Sequence, residues 1–259
     1  MHKAVKRCQY NCGSQIMLVL KDIDKRIGTA VAHYWKTLAA QSKKQNSGDA
    51  DRGGRAAVTA GKQMDGFCNL VSQFLADNGM SKAHIFRDQK LELPGFFRPT
   101  KKWDLLVVYQ GNLVAAMEFK SQKGPSFGNN FNNRAEEAVG TAHDLWTAYR
   151  DKAFRLSPRP WLGWVMLLED CPKSRSPVDV NEPHFPVFPD FKGTSYLNRY
   201  ELLLEKLVRE RMYDAAAFLI SNASQGKSGQ FQEPAKALEF KQFFASLGGH
   251  LATVLATTS

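Results

Sequence analysis

Two apolar runs joined by a short turn constrain this chain more than any other feature: WDLLVVY (Trp103–Tyr109) and LVAAMEFK (Leu113–Lys120), separated by Gln110-Gly111-Asn112. Each run carries aliphatic residues at successive positions, so both faces of the strand are apolar, as expected of strands in a sheet covered on both sides. The rest of the sequence supplies the covering layers. Apolar residues recur at helical spacing from Met17 to about Gln45 (Leu20, Ile23, Ile27, Val31, Tyr34, Leu38), with Gly28 as a candidate break. They recur again from Gln63 to Asp77, where Asn78-Gly79 forms a stop signal. Further helices are expected from Arg134 to about Lys152, Ser195 to Met212 and Pro234 to about Val254, and further strands at WLGWVMLLE (Trp161–Glu169) and AAAFLIS (Ala215–Ser221). The fold class that follows is α/β (α+β), one central mixed β-sheet flanked by helices. A single domain is expected over 17–259, with a core at about 60–170 and a helical part at about 195–255. Residues 1–16 form an N-terminal extension, with Met17 the expected start of translation.

Composition removes several classes of function. Of 259 residues 43% are hydrophobic, but no apolar stretch approaches the roughly 18 residues that cross a bilayer, so a membrane role is not expected. The opening MHKAVKRCQYNCGSQIMLVL imitates a signal peptide, yet its apolar part is short and Lys21, Asp22 and Asp24 follow at once. Four cysteines without paired CxxC spacing make neither a disulfide scaffold nor a zinc site, and the expected location is the cytoplasm. The net charge of +10 is concentrated early: residues 1–62 hold 12 Lys and Arg against 4 acids. Such a segment suits a polyanion, nucleic acid first, or else a solvated basic face. Within it NSGDADRGGRAAVTAGK reads as an exposed loop projecting Arg52, Arg55 and Lys62.

The residues that carry chemistry lie at one end of the hairpin. Asp104 opens the first strand, and Glu118 and Lys120 close the second, in the pattern D-x13-E-x-K. With a three-residue turn centred on Gly111, Tyr109 faces Leu113 and Asp104 faces Glu118, while Glu118 and Lys120 project from one face. Opposed carboxylates repel unless a cation sits between them, and an oxygen-lined gap of this kind suits Mg²⁺. Two carboxylates holding Mg²⁺ beside a lysine fit phosphodiester hydrolysis, in which the metal activates water and the ammonium offsets developing charge.

The stretch RPTKKWDLLVVYQGNLVAAMEFKSQKGPSFGNNFNNRAEEAVGTAHDL, with GKQMDGF upstream and EPHFPVFPDFKGTSYLNRYE downstream, resembles XhoI-type restriction endonucleases of the PD-(D/E)XK nuclease superfamily. The resemblance runs from about Ala30 to Glu205 and matches Asp104, Glu118 and Lys120 to the motif, with Trp103 at the place of the name-giving proline. It implies a homodimeric, Mg²⁺-dependent type II endonuclease acting on double-stranded DNA. The implied target is the palindrome CTCGAG, cut after the first C to leave 5′ extensions. A cognate methyltransferase is expected in the same system, not as a physical partner. The superfamily often adds an acid from the preceding helix, which matches Asp65 ahead of Asp77; Asp65 equally suits a first-turn helix acid.

Each half-site presents two guanines and one adenine, which favours two Arg or Lys forks and one Asn or Gln. Lys123, Asn129, Asn130, Asn132, Asn133 and Arg134 in the segment KGPSFGNNFNNR form the best reader candidates, read here as a loop. The asparagines equally suit backbone capping of the helix expected at Arg134. Arg52, Arg55, Arg98 and Lys102 are candidates for phosphates. Structural roles are expected for His143, Asp144 and His184, a helix-opening role for Glu136 and Glu137, and a core or dimer seal for Phe185, Phe188 and Phe191. Two further readings remain open: a structure-directed or repair nuclease on the same core, and a catalytically silent DNA-binding module.

Overall fold

The apolar hairpin forms the centre of the sheet in a computed structural model that describes residues 18–46, 62–155 and 157–257. In chain order the strands are β1 (Ile85–Phe86), β2 (Glu92–Pro94), β3 (Thr100–Lys102), β4 (Leu105–Tyr109), β5 (Asn112–Gln122), β6 (Trp161–Glu169) and β7 (Ala215–Ser221). Five of them make one mixed sheet in the order β1-β4-β5-β6-β7, and β2 and β3 pair in a separate two-stranded sheet. β1, β4 and β5 run antiparallel, whereas β5, β6 and β7 are parallel. The parallel strands read as continuous apolar runs because both of their faces are covered.

Five main helices supply the cover: α1 (Ile23–Asn46), α2 (Asp65–Asp77), α3 (Phe127–Arg150), α4 (Tyr196–Arg209) and α5 (Phe240–Thr257). On one face α1, α2 and α5 pack a core through Val31, Phe67, Phe74, Phe240 and Phe244 against Val107, Met117, Phe119 and Leu219. On the other, α3 and α4 bury Phe127, Leu145, Tyr200 and Leu204 against Leu106, Ala116, Trp164 and Phe218. None of the helices among the described residues is long and apolar enough to cross a membrane.

The hairpin turn has two residues, not three. Gln110 (φ 49°) and Gly111 (φ 78°) both take the left-handed region, the geometry that matches strand twist in a tight hairpin. Tyr109 therefore pairs with Asn112, not with Leu113. A bulge between Val107 and Val108 then shifts the ladder, so that Leu105 lies opposite Met117 and the intended neighbourhood of Asp104 and Glu118 is restored.

Three helix starts differ from the sequence reading. The first helix begins at Ile23, after a turn in which Asp22 has φ 53°, and it runs unbroken through Gly28. A Cβ at Gly28 would stand 3.0 Å from the Gly229 carbonyl oxygen, so this glycine admits a neighbouring backbone rather than breaking the helix. The last helix begins at Phe240, whose N–H donates to Glu233 at 2.7 Å, and not at Pro234. The third, α3, begins at Phe127 and takes in the asparagine-rich segment. Asn and Gly are weak helix formers, each costing about 0.5–1 kcal/mol. Phe127 and Phe131, one turn apart, are buried, Phe127 stacked on Tyr196 at 5.6 Å and Phe131 edge-to-face with Tyr200 at 5.1 Å, and each buried ring contributes about 2 kcal/mol in the other direction.

Candidate active site at the central hairpin

The hairpin delivers three of the sequence-chosen side chains to one place. Asp104 stands just before β4 with its N–H donating to the Met117 carbonyl, and its Oδ2 accepts the Phe119 N–H at 2.8 Å. That carboxylate is thereby fixed to β5 with one oxygen free. Glu118, on β5, points to the face of Trp164 and is 1% exposed. Lys120, two residues on, projects from the same face, with its ammonium 5.9 Å from the Trp164 ring centre. Its Nζ touches Glu118 Oε2 and lies 3.8 Å from Asp104 Oδ2.

Two further side chains complete the cluster, and neither was singled out for it from the sequence. Lys101, from β3, brings its ammonium to 2.6 Å from Glu118 Oε1. Glu137, from α3, lies 3.0 Å from Lys120 Nζ and also pairs with Arg134. Because α3 begins at Phe127, Glu137 sits in its third turn; the helix-opening role read for Glu136 and Glu137 is corrected. The missed signal was the β2–β3 hairpin, whose strands are three residues each and too short for a periodicity to register.

The charges in this cluster move one another. Burial, joined by the nearby Asp104 charge, pushes the Glu118 carboxyl up, while Lys120 and Lys101 pull it down without cancelling the rise. Burial alone would lower the Lys120 ammonium, but Glu118, Asp104 and Glu137 outweigh it and hold Lys120 above the ordinary lysine value. Against its own burial, Glu137 is held below the usual carboxylate range by Lys120 and Arg134.

A cleft of about 620 Å³ opens beside the cluster and is lined by His33, Asp65, Arg87, Lys102, Asp104, Lys120 and Arg134. Asp65, the first residue of α2, thus shares the cleft with Asp104, and partial burial pushes its carboxyl up against the pull of His33. Asp77 does not share it: at the far end of α2 it is ion-paired with Arg26 at 2.7 Å. Cys68 also lines the cleft, with burial raising its thiol far from nucleophilic range.

The donor set fits a hard cation. Both oxygens of Glu118 are buried and are met only by the ammonium groups of Lys101 and Lys120, and Asp104 offers a second carboxylate beside it. No group of three His, Cys, Asp or Glu side chains converges among the described residues. The fit is therefore to an ion held by two carboxylates, its remaining positions filled by water and substrate oxygens, which is the ordinary habit of Mg²⁺.

The reader candidates occupy the first turns of α3 and the approach to it, not a loop. Lys123, Asn129, Asn132 and Asn133 are exposed, Asn130 is half-buried, and Arg134 is engaged with Glu137. Lys102 is exposed and lines the cleft. Arg98, 43% exposed, has its Nε held by Asp144 at 2.7 Å. Arg52 and Arg55 lie outside the described residues, as do Met17 and residues 1–16. His143 stacks on Phe97 at 5.3 Å, and His184 is exposed. Phe185 and Phe188, 84% and 77% exposed, seal no core within the described chain, because their loop lies over the surface between prolines.

Comparison with known proteins meets this geometry with a consistent result. The family model described as restriction endonuclease XhoI matches residues 43–233. The chain is 52% identical over 221 residues to the type II restriction enzyme BstVI of Geobacillus stearothermophilus, covering 83% of this chain and 98% of that enzyme. It is 48% identical over 194 residues to the type II restriction enzyme XhoI of Xanthomonas vasicola, covering 74% and 77%. To the type II restriction enzyme AbrI of Azospirillum brasilense it is 53% identical over 170 residues, covering 65% and 76%. No solved structure matches. A cluster of acids and lysines at the central strands of a mixed α/β core, in a chain matched over most of its length by such enzymes, places it in the XhoI family of type II restriction endonucleases.

Proposed function

We propose that two copies of this chain form a Mg²⁺-dependent endonuclease that cuts both strands of a palindromic site. The target proposed is the one that the family resemblance implies, CTCGAG, cut after the first C to leave 5′ extensions. The observation that carries the catalytic half of this reading is Glu118, a buried carboxylate held by ammonium groups alone, with Asp104 and Lys120 beside it.

Asp104 and Glu118 would hold the metal, with Asp65 a further acid on the wall of the cleft. When bound, Mg²⁺ supplies a polarised phosphate and a water of lowered pKa. Lys120 does the rest as a fixed positive charge. Its three carboxylate neighbours favour its charged form in the metal-free chain, and as an ammonium it orients the attacking water and offsets charge on the phosphate oxygens. Glu137 positions Lys120 from the helix side.

Readout is assigned to the start of α3, where Asn129, Asn132 and Asn133 with Lys123 supply the amide and ammonium donors that adenine and guanine edges accept. Lys102 and Arg87 on the cleft wall suit phosphates. A palindrome is read by two identical subunits, and the exposed rings of Phe96, Phe97, Phe185 and Phe188 are apolar surface of the sort a second copy covers.

The test is digestion of a plasmid carrying one CTCGAG site, with and without Mg²⁺, followed by sequencing of the ends and sedimentation of the protein. One Mg²⁺-dependent cut after the first C, made by a dimer, is expected. Cutting at random positions, or none by a folded protein that still binds DNA, would overturn the reading.

A further inference from the structure

Glu118 is flanked by two ammonium groups, and the D-x13-E-x-K pattern accounts for one of them. Lys120 has several carboxylates in reach, with Glu137 at 3.0 Å and Asp104 at 3.8 Å besides Glu118. Lys101 is committed to a single one. Its Nζ stands 2.6 Å from Glu118 Oε1, donates to the Lys102 carbonyl at 3.2 Å, and lies 4.9 Å from the Trp103 ring centre. Only 12% of its side chain is exposed. The residue comes from the β2–β3 pair, where it faces Leu93, and that pair is separate from the five-stranded sheet.

We infer that Lys101 is a place-holding cation for the metal: in the DNA-free chain it occupies the side of Glu118 that a divalent ion takes, and it thereby sets how tightly that ion is held. This rests on the reading of Glu118 as a metal ligand. A carboxylate lone pair in contact with an ammonium is not open to a second cation, and Glu118 has no hydrogen-bond donors that would hold it in place once the ammonium leaves. Positive charges a few ångström apart in a largely desolvated site repel strongly. Neutralising a buried carboxylate before the metal arrives also lowers the cost of burying it, which gives the lysine a reason to be there. Lys101 is a positioning residue in this account, acting on the substrate through Glu118.

Substitution separates this role from a structural one by the sign of the effect. Lys101→Met keeps the side-chain length and the contact with Trp103 while removing the charge. Titration calorimetry of Mn²⁺ into the DNA-free protein is expected to show binding on the order of tenfold tighter in Lys101→Met than in the unsubstituted chain. Lys101→Arg, which retains the charge, stays within about threefold of the unsubstituted chain on the same electrostatic grounds. A lysine that merely supported the fold would give the opposite sign, since a misplaced Glu118 binds more weakly. Equal, weaker or undetectable binding by a Lys101→Met protein with an unchanged melting transition overturns the inference. Glu118→Gln separates the two levels: it should remove the binding, and if binding survives it, the reading of Glu118 as a ligand fails, and the inference with it.

Discussion

The β2–β3 pair meets two nearly buried carboxylates, one at each end, and they are treated in opposite ways. At its tip Asp144, 4% exposed, accepts the N–H groups of Phe96 and Phe97 at 2.7 and 2.8 Å and the Arg98 guanidinium at 2.7 Å. At its base Glu118, 1% exposed, has no backbone N–H or guanidinium against it and is met only by the ammonium groups of Lys101 and Lys120. Asp144 is held below the usual carboxylate range, against its burial, by the donors of Phe97, Arg98 and Phe96, whereas Glu118 is pushed above it by burial. A satisfied buried acid fastens a loop; one without directional donors keeps its lone pairs for another cation. Chemistry is proposed at the second and structure at the first.

The largest expected effect follows from Glu118. Glu118→Ala, Asp104→Ala and Lys120→Ala should each lower cleavage by about 10³-fold or more while sequence-specific binding remains measurable by gel shift, because readout is assigned to α3. The next concerns Asp144. Asp144→Ala leaves two backbone N–H groups and a guanidinium without their acceptor and should cost about 3 kcal/mol in denaturant unfolding, whereas Glu118→Gln, which keeps an amide oxygen as acceptor for Lys101, should cost less. If the two costs came out alike, the contrast between the carboxylates would be lost.

Much of this contrast was legible in the sequence, but unevenly. The convergence of Asp104, Glu118 and Lys120 could be read because both strands are local, apolar and joined by a turn, although the two-residue turn and the bulge that together set the register were not legible. Glu137 and Lys101 reach the same spot from a helix and from a three-residue strand, and their meeting depends on tertiary packing that no local pattern encodes. The start of α3 was hidden for a related reason: four asparagines and a glycine argue for a loop until the burial of Phe127 and Phe131 is known. Arg98 looked like a free cation because Asp144, 46 residues away, gives no sign of being its partner.

Smaller effects sharpen the same comparison. Arg98→Ala removes a half-exposed partner of Asp144 and should cost about 1 kcal/mol, measured by the same unfolding curves, since the two backbone donors remain. The pH dependence has a definite sign. A carboxyl whose folded pKa is depressed contributes stability above its unfolded value, about pH 4, and loses it as pH falls through the folded value. The melting gap between the unsubstituted chain and Asp144→Asn should therefore be full at neutral pH and narrow below about pH 4. A gap that widened there would place the stabilising interaction elsewhere.

Cleavage and melting measured side by side on purified Glu118→Gln and Asp144→Asn test the central contrast most directly. The expected result is that Glu118→Gln melts closer to the unsubstituted chain than Asp144→Asn does and does not cut, while Asp144→Asn still cuts within about tenfold per folded molecule. Undiminished cutting by a folded Glu118→Gln protein would contradict it.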